Sequence, residues 1–248
     1  MIKRYIPKNI KQFLWFIFKS PQRKWVGWRT LLTDLKGYCT VWFVRGQLHR
    51  ITVCVGVSNR SRHLLDHLIE SMNRASNKSL LNLSVFDCGS DDVENLSVAI
   101  QAKWKGRLFY TRQDQPFARS IAFNNAVRQS DTPVVLICDA DMSLPADIVV
   151  RASKFISRRT AWFPVVWYTN ADGSGRYYTE STGMLCTYKD DFFRVGAYDE
   201  GIREWGKEDW LLFFEYYKHD IACIRTRERY FVHHYHPSLR PEGFVPLF

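Results

Sequence analysis

The chain of 248 residues predicts an α/β domain, a mixed and mainly parallel sheet flanked by helices, with a basic helical extension at its N-terminus. Three observations carry that prediction. From residue 51 onward short β-branched runs alternate with amphipathic stretches, as strands that feed crossover helices do. The apolar run 133–138 stops abruptly at Asp139 and Asp141, which places two carboxylates at the C-terminal edge of a central strand, where open α/β sheets bind ligands. Hydrophobic residues make up 46% of the chain and aromatics 15%, enough for one sizeable core and too much for a disordered chain.

The first element is the extension, 1–50. It holds eleven of the 35 Lys and Arg residues and one acid, Asp34, so the remaining 24 basic and 24 acidic residues leave the body neutral. The whole formal charge of +10 therefore belongs to the first fifty residues. Because phosphate-tracking surfaces need clustered cations on the working domain, a nucleic-acid partner is not expected. Phe13, Trp15, Phe16, Phe18, Trp25, Trp28, Trp42 and Phe43 are interleaved with these cations. That mixture suits a helical cap on the domain, and equally an anionic membrane surface, with the bases attracted to headgroups and the rings among them. The uncharged apolar run 13–18 is far short of the roughly 20 residues a spanning helix needs, and no small-residue cleavage site follows it. The expected location is cytoplasmic, at most peripheral to the inner face of a membrane.

The domain proper is expected over 51–237. A strand over 51–57 leads to a helix over 61–73, capped by Ser61, with Leu64, Leu65, Leu68, Ile69 and Met72 at helical spacing. A strand over 83–86 ends in the turn 87–92, which opens a helix over 93–103. A strand over 107–111, a helix over 117–129 and the strand 133–138 follow. Beyond Pro145 come a helix to about 157, an aromatic strand over 161–168, a glycine turn at 172–175 and a strand over 182–188. A helix over 207–218 and closing strands near 221–225 and 229–234 complete the domain. The proline-rich tail 238–248 reads as irregular. Six cysteines without a CxxC pair, four of them in apolar runs, read as small buried hydrophobes in a reducing compartment.

Three constellations carry chemistry. Asp139 and Asp141 form a DxD pair whose side chains face the same way; like charges so close repel unless a cation sits between them. A hard cation there would also neutralise a leaving diphosphate. His233-His234-Tyr235-His236 is the second. On a strand His234 and His236 share a face, whereas His233 and His236 converge if the chain turns, and either pair offers imidazole ligands. The third is 204–210, where Gly206 loosens a loop that presents Glu208 and Asp209 at the start of a helix. The positive helix end favours ionised acids, so one can bind a hydroxyl while the other takes its proton.

These residues belong to an ordered set. Val57-Ser58-Asn59-Arg60, Phe117-Ala118-Arg119, Cys138-Asp139-Ala140-Asp141, Trp162-Phe163-Pro164, Gly183 through Tyr188-Lys189, Arg194-Val195-Gly196-Ala197-Tyr198-Asp199, Trp205-Gly206-Lys207-Glu208-Asp209 and Val232-His233 to His236-Pro237 follow one another over 50–237. The set resembles the chondroitin N-acetylgalactosaminyltransferase and β-1,4-galactosyltransferase group. The resemblance implies a GT-A, Rossmann-like fold and a metal-dependent inverting transfer of N-acetylgalactosamine, galactose or glucuronate from a UDP-sugar donor to a glycan acceptor. It implies Asp209 as base and Glu208 as the acceptor-binding acid. Arg60, Asp87, Phe117, Arg119, Asp139, Trp205 and Gly206 are then the donor-binding residues, with Asp87 at the uracil. Asp141, His236 and His233 are the ligands of manganese, or of magnesium. Glu180 stands where these relatives place an aromatic residue, a departure that bears on the sugar. Two other readings compete. A nucleotidyltransferase would use the same sheet edge, although no Gly-rich phosphate loop is present. A non-catalytic carbohydrate- or membrane-binding module would use the aromatics.

Overall fold

The computed structural model describes residues 28–43, 47–202 and 207–237. Helix α1 (Trp28–Phe43) is followed by β1 (Ile51–Val57), then by α2 (61–73), whose middle turns, Leu64–Ile69, are π-helical. Strand β2 (Leu81–Asp87), α3 (Leu96–Lys103), β3 (Leu108–Arg112), α4 (Arg119–Gln129) and β4 (Val134–Ile137) complete the regular half. The second half runs β5 (Met142–Ser143), α5 (Ile148–Phe155), β6 (Thr160–Trp162), β7 (Val165–Thr169), β8 (Gly175–Tyr177) and β9 (Leu185–Tyr188). It closes with α6 (Lys189–Arg194), α7 (Glu208–Lys218), β10 (Ala222–Ile224) and β11 (Arg227–His233).

Seven strands form the main sheet in the order β10-β6-β9-β4-β1-β2-β3. All neighbours are parallel except β9, which runs antiparallel to both β4 and β6. Every residue of β1 and β4 is buried, because helices cover both faces of a sheet of this kind. One face packs Leu64, Leu68 and Ile69 of α2, Ile100 of α3 and Ile148 of α5. The other packs Phe123 of α4, Phe192 of α6 and Phe213 of α7. The apolar stretches over 51–57, 81–87 and 134–137 thus become the central strands, and their C-terminal ends share one edge.

Several expectations are corrected. The single aromatic strand over 161–168 is two strands, β6 in the main sheet and β7 in a second sheet of order β5-β11-β7-β8. Pro164 separates them, since it has no N–H to give to a ladder, while Phe163 and Val165 on either side donate to Ile224 and Thr226. The helix expected from 93 begins at Leu96, after Asn95 has turned through a left-handed conformation (φ 48°). The helix expected from 117 begins at Arg119, because Ala118 is still extended. Sequence reasoning did not find α6, β5 or β8. The tail 238–248 and residues 1–27 lie outside the described residues.

Helix α1 docks as a cap. Asp34 is fully buried and accepts hydrogen bonds from the Cys223 N–H (3.1 Å) and the Tyr217 hydroxyl (3.0 Å). Tyr38 donates its hydroxyl to the Arg225 carbonyl (2.9 Å), and Gly37 lets the helix approach so closely that a Cβ there would stand 2.3 Å from Ala222 Cβ. Asp34→Ala removes both of these buried hydrogen bonds, which costs about 1–3 kcal/mol. The expected result is a lower denaturant midpoint with an unchanged m-value; an unchanged midpoint would show that this contact does not anchor the helix.

Candidate active site

The C-terminal edge of the sheet gathers Arg60 after β1, Asp87 at the end of β2 and Asp139 to Asp141 after β4. The N-termini of α4 and α7 bring Arg119, Glu208 and Asp209, and the end of β11 brings His233 and His236. Two clusters form, and they meet at the DxD segment.

The first is centred on Arg119, whose buried guanidinium serves three acids. Its Nε donates to Asp139 Oδ1 (3.2 Å), its Nη1 to Glu208 Oε1 (3.3 Å) and to Asp209 Oδ1, and its Nη2 to the Gly183 carbonyl (3.0 Å). The plane lies 4.6 Å over the Phe123 ring. Gly183 is required at this spot, because a Cβ would lie 2.9 Å from both Arg119 Nη2 and Asp209 Oδ2. One cation among three carboxylates leaves excess negative charge in a site with little water. Burial pushes Asp209 up to about 7, against the pull of Arg119 and with help from Glu208 and Asp139. Burial likewise raises Asp139, against Arg119 and with help from Asp141. Burial works against the charge of Arg119, but Asp139 and Asp209 outweigh it and hold the guanidinium protonated.

The second cluster is Asp141, His233 and His236, whose ligand atoms lie within 4.8 Å of one another. His236 Nε2 is 2.8 Å from Asp141 Oδ2 and His233 Nε2 is 3.6 Å from Oδ1. Asp141 Oδ1 and His233 Nδ1 are buried with no hydrogen-bond partner. Buried polar atoms are normally paired, so an orphaned carboxylate oxygen between two imidazoles fits a cation that takes oxygen and nitrogen ligands. Burial disfavours the Asp141 charge, yet the His236 bond and the charges of His233, His236 and Arg60 overcome it and lower its pKa. The Asp141 bond raises His236, while burial lowers His233.

The turn after β11 decides between the two histidine pairings. His234 gives its N–H to the Asp141 carbonyl (2.9 Å), bonds Ser143 Oγ through Nε2 (2.7 Å) and stacks on His67 at 3.7 Å. It fastens the strand end to α2 and β5, and leaves the triad to His233 and His236. Burial, with His67 close by, lowers His234 to about 4.

The remaining predicted residues are placed as follows. Arg60 is half-buried at the start of α2, near enough for its charge to act on Asp141 and His236. Phe117 is 43% exposed at the mouth of the edge, with its ring against Gly56. Asp87 is fully buried, and both its oxygens are engaged: Oδ1 accepts from the Ser90 N–H (2.8 Å), Oδ2 from the Tyr110 hydroxyl (2.6 Å). Its visible part is to hold the turn that ends β2. Trp205 and Gly206 lie outside the described residues. Sequence reasoning missed Tyr168, which stacks on His233 at 4.1 Å, and placed Gly183 in the ordered set without its part beside Arg119 and Asp209; no local pattern marks either role.

A mainly parallel sheet with an acidic strand end, a histidine-bearing second sheet and a carboxylate at a helix start is the GT-A architecture of nucleotide-sugar glycosyltransferases, and solved structures agree. A mannosyltransferase from Pyrobaculum calidifontis, in complex with GDP-Man and Mn2+, superposes with TM-score 0.59 at 16% identity over 85% of this chain and 65% of its own. The S. aureus TarS 1–349 fragment, in complex with UDP-GlcNAc, superposes with TM-score 0.63 at 14% identity over 79% and 62%.

Residues 47–239 match the chondroitin N-acetylgalactosaminyltransferase family, and the chain belongs to it. Mouse chondroitin sulfate N-acetylgalactosaminyltransferase 2 is 28% identical over 158 residues, 54% of this chain. Human chondroitin sulfate synthase 3 is 24% identical over 174 residues, 61% of this chain. The chain spans 29% of the length of the first relative and 20% of the second.

Proposed function

We propose that the chain is a metal-dependent, inverting glycosyltransferase that moves a sugar from a UDP-sugar to a hydroxyl of a glycan acceptor, with N-acetylgalactosamine the first choice of sugar and galactose or glucuronate behind it. The observation that carries this reading is the meeting, at one sheet edge, of the Asp141–His233–His236 triad, with its unpartnered carboxylate oxygen, and a carboxylate, Asp209, poised near neutral pH. Family membership supports transfer over the nucleotidyltransferase and binding-module readings.

The residues divide the work. Asp209 takes the proton from the acceptor hydroxyl, whose oxygen forms a bond to the anomeric carbon as the bond from that carbon to the diphosphate oxygen breaks. Glu208, adjacent on α7, orients the acceptor. Asp141, His233 and His236 would hold Mn2+ or Mg2+, which when bound supplies positive charge against the departing diphosphate. Arg60 and Arg119 add fixed cations on the same side. Arg119 cannot pair fully with Asp209 and with a diphosphate at once, so donor binding loosens its hold on the base.

The uridine assignment rests on Phe117, an exposed ring able to stack on a base, on Arg119 for the diphosphate, and on Asp87 as acceptor for the imide N–H of uracil. Calorimetric titration with manganese present is expected to show uridine diphosphate binding about tenfold or more tighter than cytidine or guanosine diphosphate, the scale of one hydrogen bond to a base edge. Equal binding by all three would remove the donor assignment while leaving the fold and metal readings standing.

A further inference from the structure

The irregular segment 178–183, between β8 and β9, runs from one cluster of the site to the other. At its start the Tyr178 ring meets Tyr168 at 5.1 Å, and Tyr168 is the ring stacked on His233. At its end the Gly183 carbonyl accepts from Arg119, and Gly183 lies so close to Asp209 that a Cβ would meet the carboxylate at 2.9 Å. Between these ends the segment is held by Arg225, just after β10, whose Nη2 donates to the Thr179 carbonyl (2.9 Å) and to the Ser181 carbonyl (2.9 Å). Arg225 is fully buried, and its Nε and Nη1 have no hydrogen-bond partner. A buried guanidinium is normally paired with an acid, yet Glu180, the acid of the segment, is exposed. Burial lowers Arg225 to about 10, which leaves it charged at neutral pH. Helix α1 seats this arginine: the Tyr38 hydroxyl donates to its carbonyl (2.9 Å) and accepts from its N–H (3.2 Å). That helix lies before residue 47, where the match to the family begins.

We propose that Arg225 is a positioning residue that clamps segment 178–183 and so sets the surroundings of Asp209, with Tyr38 of α1 seating the clamp. A buried cation without an acid beside it costs more than an apolar side chain of similar size, so stability alone gives no reason for it. Two carbonyls turned to one guanidinium hold the segment in one conformation. Ser181 passes that hold on, because its hydroxyl accepts from the Gly183 N–H (3.3 Å). Gly183 in turn covers Asp209 and gives Arg119 a neutral acceptor besides its acids. Released from Arg225, the segment would admit water to Asp209 and withdraw that carbonyl, and Arg119 would turn more fully to the carboxylates. Both changes favour ionised Asp209, which is raised first of all by burial. The charged and titratable groups facing Asp209 include Arg119 on α4, Glu208 on α7, Asp139 after β4 and Tyr198 after α6, and a substitution at Arg225 leaves them all in the chain. That Asp209 is the base rests on the transferase reading above; that Arg225 governs its titration does not.

The titration of Asp209 is therefore followed on the full chain by carboxyl-carbon NMR without donor or metal, with Asp209→Asn identifying the signal. The parent should titrate at about 7. Arg225→Met, which keeps the length of the side chain and loses its donors, should titrate lower by about one pH unit or more, whereas Arg225→Lys, which can reach the same carbonyls, should stay near the parent. Tyr38→Phe removes a single oxygen and should shift the titration in the same direction by less; it decides the matter if Arg225→Met does not fold. The pH limb of sugar transfer should move with the titration. A residue that serves stability alone would lower the denaturant midpoint of Arg225→Met and leave Asp209 titrating as in the parent. That result overturns the proposal, as does an upward shift or an Arg225→Lys chain that behaves like Arg225→Met. A chain whose Asp209 responds as described yet transfers no sugar would overturn the transferase reading alone.

Discussion

Asp209→Asn is expected to lower the rate of sugar transfer about 10²–10⁴-fold, the usual contribution of a general base. An amide cannot accept the hydroxyl proton, yet it keeps the shape of the group at the start of α7. The substitution removes one of three acids around Arg119 and leaves Asp139, Glu208 and the Gly183 carbonyl to hold that guanidinium, so nucleotide binding should persist. The same residue sets a pH dependence. Because burial raises Asp209 to about 7, it is protonated and inactive as a base below that value, and transfer should rise as pH passes upward through it. In the variant the residual rate should lose that limb. A variant with near-parental turnover, or with the same pH limb, would take the base assignment away from Asp209.

The second large effect is expected at the triad. If the triad holds the metal as proposed, Asp141→Ala or His236→Ala removes one of its ligands and should weaken Mn2+ on the order of 10²-fold or more, beyond what loss of a ligand's supporting partner costs. Turnover should follow occupancy, so a chelator should abolish it in the parent chain. Affinity should also fall with pH. His236 is raised by its bond to Asp141 and must give up its proton to bind a metal, so the ion competes with a proton that is held more tightly than usual. Manganese binding followed by paramagnetic resonance checks both expectations; unchanged affinity in both variants would relocate the site.

Much of this arrangement was legible in the sequence, for identifiable reasons. Strand β1 matches its expected bounds because seven buried residues in a row leave an uninterrupted apolar run. The DxD pair was legible because acids ending a buried strand have few places to go but a ligand edge. What was not legible depends on chain segments that only folding brings together. Arg119 reaches Glu208 across 89 positions and Gly183 across 64, and nothing local announces that one arginine will serve three acids. The choice of His233 over His234 needed the turn after β11, which the spacing left open. Strands of two or three residues, such as β5 and β8, are too short to show a period of two. Asp87 shows another limit: its hydrogen bonds to Ser90 and Tyr110 join the turn to β3, a contact that the turn's own sequence does not announce.

The proposed function assigns UDP-sugar transfer to the triad and Asp209 acting together. The direct measurement incubates the full chain with a panel of UDP-sugars, with and without Mn2+, and follows release of uridine diphosphate in the parent and in Asp141→Ala and Asp209→Asn. The expected result is release from at least one UDP-sugar that requires the metal, disappears in Asp141→Ala and falls steeply in Asp209→Asn when a glycan acceptor is present. Release that survives chelation and both substitutions, or no release from any UDP-sugar with acceptor and metal supplied, would contradict it.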